Sequence, residues 1–126
     1  MTRTYGLQKF EWSIRALAQD AATQLKLYPS FAVVADELAL EFEEHHRQLD
    51  LDVLRPAQSQ AVQALSDALD QMSGPDHLRL WETEALDCAP EWQRIRELAR
   101  DVLRVMGWPA TPPPLERGAI YVGPGA

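Results

Sequence analysis

Cysteine is nearly missing from this 126-residue chain: Cys88 stands alone, so no intramolecular disulfide can form and a reducing compartment is the simplest home. No apolar run approaches the roughly 20 residues that span a bilayer, and Met1 to Gly6 carry no apolar signal-peptide core. Positive charge is also scarce. Twelve basic side chains face 19 acidic ones, giving a formal net charge of −7. That sign repels nucleic acid and anionic membrane, and it speeds encounter with a basic protein. A cytoplasmic protein partnered by another protein is expected, with neither nucleic acid nor membrane as target.

Catalytic signatures are equally sparse. No Gly-x-Ser-x-Gly elbow, Walker loop or dinucleotide fingerprint occurs. Cys88 lies beside Asp87, where negative charge disfavours the thiolate. Glu43 and His46 have the three-residue spacing of a di-iron bundle ligand pair, but His77 is preceded at that spacing by Gly74, so the second pair is missing. The expectation is a non-enzyme with no cofactor and no metal. A small metalloenzyme is the weaker competing class.

What is present is helical periodicity. Phe10, Ile14, Leu17, Ala21, Leu25 and Tyr28 recur at steps of three and four and predict one helix over 9–28, ended by Pro29. Ser30 is the expected cap of a second helix over 31–50, with Phe31, Val34, Leu38, Phe42, His45 and Leu49 on its core face. A third helix opens at Pro56, carries the stripe Ala57, Ala61, Leu65, Ala68 or Leu69, and Met72, and stops at Ser73-Gly74-Pro75. Asp76 can cap a shorter fourth segment to about residue 87, with Leu78, Trp81 and Ala85 on one side; the alternation of Leu78 and Leu80 leaves a strand open there. The fifth helix runs from Pro90, through Trp92, Ile95, Ala99, Val102 and Met106, to Gly107. The four tryptophans read as packing residues, with Trp108 anchoring the C-terminal segment. The expected fold is all-α: a single small bundle of about five helices over 1–108, then a proline-rich extended tail over 109–126 in which Ile120-Tyr121-Val122 is the apolar cluster.

Acid is concentrated in one place. Asp36, Glu37, Glu41, Glu43, Glu44, Asp50 and Asp52 fall within 17 positions. Like charges three and four apart on a helix repel by a few tenths of a kcal/mol per pair, a repulsion that a cationic partner relieves. Glu37, Glu41 and Glu44 form the candidate charged row, with Asp36 and Glu43 as its rim. Val33 and Leu40, nearly opposite the core stripe, form a second apolar strip bordered by acids. These seven are the candidate partner-binding residues. A solvated helix face is the competing reading of the acids.

The same hairpin resembles a known family. Arg15-Ala16-Leu17, Leu25, Tyr28-Pro29-Ser30-Phe31, Val34, Glu37 and Leu38 look like the N-terminal half of small helical immunity proteins that neutralise NAD(P)+-hydrolysing toxins of type VI secretion. A second echo lies in Leu80, Glu84-Ala85, Asp87 and Pro90-Glu91, so the likeness spans about two thirds of the chain. The region around the third helix is longer than the pattern, and the tail has no counterpart in it. The resemblance implies an immunity protein in interbacterial competition that covers the active site of a cognate toxin's catalytic domain. The alternative from residue chemistry is an acidic helical adaptor or secretion chaperone that binds an effector away from its active site.

Overall fold

Residues 9–28 form two helices instead of one. In the computed structural model, which describes residues 2–115, α1 runs Thr2–Leu17 and α2 Ala21–Lys26. Asp20 makes the break: its backbone is extended and its carboxylate accepts from the Thr23 amide at 2.9 Å. That hydrogen bond holds the Asp20 carboxyl below its ordinary pKa. The carbonyls freed at the end of α1 are taken by side chains. The Gln24 amide donates to Ala16 and Leu17 at 3.2 and 3.1 Å. Arg96 donates to Gln19 O at 3.0 Å and Arg100 to Ala18 O at 3.2 Å. The Arg96 guanidinium also reaches Gln24 Oε1 and Leu86 O. One consequence is that Leu25, expected in the stripe, is exposed.

The next helix, α3, starts later than expected, at Val34, and runs to Gln48. Ser30 does not cap it. Ala32 N instead donates to Pro29 O at 3.0 Å, closing a turn, and Val33 occupies the cap position with no side-chain bond. Phe31 therefore sits on the turn and is 88% exposed rather than in the core. Val34, Leu38, Phe42 and His45 are buried as the periodicity requires.

A short 3-10 turn, Leu51–Val53, leads to α4, Pro56–Gln71. Its buried stripe is Val62, Leu65, Leu69 and Met72, and Ala57 is exposed. The branched and longer side chains displace the alanines from the deepest positions, which turns the helix relative to the expected stripe. Residues 75–81 make a 3-10 segment kinked at His77, and α5, Thr83–Cys88, comes directly after it. No strand occurs among the described residues. Two indoles fix this segment: Trp81 donates to Met72 O at 2.9 Å and Trp92 to Leu80 O at 2.6 Å, with their rings edge to face at 5.6 Å. Pinned by Trp81, the segment leaves Leu78 outside, 69% exposed.

The last helix, α6, spans Pro90–Met106. Gly107 ends it at φ 72°, with Trp108 N donating to Leu103 O at 2.9 Å and Gly107 N to Arg104 O at 3.3 Å. α6 is the central element: α1, α4 and α5 pack on it, and α3 packs on α1. The fold is all-α, with six α-helices among the described residues where about five were expected, because the first is interrupted. No helix among the described residues is long and apolar enough to cross a membrane.

After Trp108 the chain runs without helix along α1. Gln19 donates to Ala110 O at 3.0 Å, Arg15 to Thr111 O and Pro112 O at 3.0 and 2.9 Å, and Trp12 to Pro114 O at 2.7 Å. Pro113, within this strap, is buried. The Ile120-Tyr121-Val122 cluster lies outside the described residues.

Candidate partner-binding surface

α3 distributes its acids over three directions, and only some reach water. Glu41 does not belong to an exposed row: it is 9% exposed and accepts from the Tyr28 hydroxyl at 2.9 Å. At about 100° per residue Glu41 turns well away from Leu40, toward α1 and the Tyr28 ring, and the phenol supplies the partner that a buried carboxylate needs. Glu37 is half-buried on the same flank and Glu44 is exposed. The charged row of Glu37, Glu41 and Glu44 is thus interrupted at its centre.

Local physics accounts for part of the remaining acid. Asp36 and Glu37 lie in the first turn of α3, where the helix dipole favours negative charge, and His45, His46 and Arg47 lie in its last turn, where it favours positive charge. Glu44 acts electrostatically on His45. Glu43 has neither support.

Asp36, Leu40 and Glu43 fall within an arc of roughly 60° on α3. They form one wall of an open groove of about 630 Å³, with Ala39 at its base. The opposite wall is Ser73, Gly74, Leu78 and Trp81. Leu40 is 56% exposed and Leu78 69%. These are large aliphatic side chains left open to water on two neighbouring elements. Gly74, at φ 107°, turns the chain out of α4 so that the 3-10 segment doubles back beside α3. Val33, 49% exposed, lies on the same side of α3 beyond Asp36, and Phe31 precedes it.

The structure therefore brings Asp36, Leu40 and Glu43 together and separates them from Glu37 and Glu44. Leu78, Trp81, Ser73 and Gly74 escape sequence reasoning because Leu78 and Trp81 fit a core stripe with Ala85. The alternation of Leu78 with Leu80 is the local hint that they do not share one side.

The histidines face elsewhere. His45 is in the core, and burial pushes its pKa below the ordinary value, while Glu41 and Glu44 oppose the shift and Lys9 adds to it. His46 stacks on Phe42 at 5.2 Å and Phe10 at 6.4 Å, and burial lowers its pKa too, against the pull of Asp70. Glu43 lines the groove while the His46 ring lies on the Phe10–Phe42 side, so this spacing does not converge on one point. Among the described residues no three His, Cys, Asp or Glu side chains gather as a metal site would require. Cys88 is exposed and its Sγ donates to Glu84 O at 3.2 Å. Compared with known proteins, the chain matches no family model, no curated protein and no solved structure.

Proposed function

We propose that this chain is an immunity-type protein: it binds the catalytic domain of a cognate secreted toxin inside the producing cell and covers its active site. The observation that carries the reading is the groove between α3 and the 3-10 segment, where exposed Leu40, between Asp36 and Glu43, faces exposed Leu78. Such a surface supplies apolar contact at its centre and negative charge at its rim, the arrangement that anchors a partner and steers its approach. The net charge of −7 adds long-range attraction for a basic partner. The resemblance of the first hairpin to type VI secretion immunity proteins is the reason to propose a toxin as the partner, with NAD(P)+ hydrolysis as the first activity to assay.

Occlusion requires no chemistry from this chain. Carboxylates presented to the toxin would meet the cationic side chains that otherwise bind substrate phosphates. Association would be fast and salt-dependent, while release would be governed by packing around the leucines.

Co-expression with the product of the adjacent gene tests the proposal. The expected outcome is that this product is toxic alone, harmless with this chain, and inhibited by it as purified protein. A product that is harmless alone, or that kills equally with and without this chain, would end the immunity reading. A stable complex with the enzymatic activity intact would point instead to the adaptor.

A further inference from the structure

The groove constrains its occupant beyond charge sign. Asp36 and Glu43 are seven residues apart on α3, which places them about 10 Å apart along the helix axis, with Leu40 between them. The facing wall, Ser73 to Trp81, runs alongside the same stretch. A peptide in β-conformation gains most of its affinity by adding to a sheet edge, and no strand exists among the described residues. A helix satisfies its own backbone and needs only an apolar trough with matched charges.

We infer that the groove takes a basic amphipathic helix of the partner protein, laid along α3. Its two cationic residues stand seven positions apart, opposite Asp36 and Glu43. Between them an apolar pair, three and four positions after the first cation, enters between Leu40 and Leu78 over Ala39 and Trp81. The register is bounded by Arg47, exposed and one turn beyond Glu43, which repels a cation placed a turn further along. Phe31 and Val33, exposed beyond Asp36, extend the apolar contact at the other end. This inference rests on the reading of the chain as a binding protein, but it concerns the groove alone.

Titration of the full isotope-labelled chain with a capped, alanine-based helical peptide tests it by NMR. The probe carries two lysines seven apart with a Leu-Leu pair between them at the stated positions. Expected are saturable amide shifts concentrated in 36–43 and 73–81, including the Trp81 indole, and an affinity reduced at least about tenfold by D36K/E43K or by L40D. The equal charge change E37K/E44K, on the other flank, should leave the affinity within about twofold. A peptide with glutamates for lysines, or with its lysines moved one turn toward Arg47, should bind at least about tenfold more weakly. Absence of saturable shifts at millimolar peptide would overturn the inference, as would equal losses from D36K/E43K and E37K/E44K. Concentration-dependent shifts at the same residues without peptide would assign the groove to a second copy of the chain and overturn it as well. Protection against the toxin that survives L40D with D36K/E43K would remove the groove from the mechanism while leaving the immunity reading intact. Peptide binding without protection would do the reverse.

Discussion

Two regions of this bundle use polar side chains in opposite ways. At the junction of α1, α2 and α6, Gln24 and Arg96 are buried, and their donors terminate on the carbonyls of Ala16, Leu17, Gln19 and Leu86. Desolvation lowers the Arg96 pKa from its high ordinary value, with Arg100 acting the same way and Asp20 and Asp87 opposing. Every group there has a structural task. At the groove between α3 and the 3-10 segment, carboxylates and leucines face outward without completing anything inside the protein. Charge alone does not separate side chains that complete the fold from those that face outward. What separates them is whether their partners are already supplied by the fold.

The sharpest way to break this comparison is at Arg96. Arg96→Met keeps apolar volume but withdraws the guanidinium from buried carbonyls and from Gln24 Oε1. Buried acceptors left without donors should lower stability by about 3 kcal/mol, roughly 10 °C in Tm, measured by thermal denaturation. Partner affinity of the protein that remains folded should be unchanged. At the groove the pattern should invert. Leu40→Asp should leave Tm within a degree or two, since Leu40 is already half outside, yet weaken partner binding at least about tenfold, or roughly 1.4 kcal/mol. Calorimetry of the two variants side by side decides it. A thermally unstable Leu40→Asp protein would show that the groove is simply core.

A smaller effect is expected at the strap. Arg15→Ala removes donors to Thr111 O and Pro112 O and the partly buried ion pair with Glu11, and should lower stability by about 1 kcal/mol. Hydrogen exchange at 108–115 should quicken in that variant while exchange in α4 stays as it was. Equal changes in both would mean that the strap is part of the cooperative core.

Much of this architecture was legible in residue order. Pro56, Pro90 and Gly107 punctuate α4 and α6 where their backbone chemistry requires, and the α6 stripe is buried along most of its length. The break at Asp20 was not legible, because its apolar residues continue the helical period across the gap. The capping bond to Thr23 stabilises it, together with Arg96, which arrives from the far end of the chain. Glu41 could not be distinguished from Glu37 or Glu44 because its partner, the Tyr28 hydroxyl, comes from across a turn. Leu78 misled for a related reason. Helical spacing with Trp81 implied a common face, and the 3-10 geometry with its kink at His77 denies it. Half of the groove thus came from a pattern of charge, and the other half from how Trp81 pins a segment whose sequence reads as core.

The mildest test concerns pH and again separates inside from outside. His45 and His46 have pKa values below the ordinary 6.5, chiefly through burial. The unfolded chain therefore takes up protons at a higher pH than the folded one. Stability should be at its plateau above about pH 6.5 and fall as pH drops from there toward the lowered folded values. His45→Gln should flatten this slope in urea denaturation tracked between pH 7 and 5, and His46→Gln should flatten it less if the stacked ring retains access to water. Groove variants should not change the slope, because neither Asp36 nor Glu43 acts on either histidine. Were D36K/E43K to shift it as strongly as His45→Gln, the groove carboxylates would be coupled to the core. The division between a self-satisfied interior and an outward-facing groove would then fail at α3, which carries both.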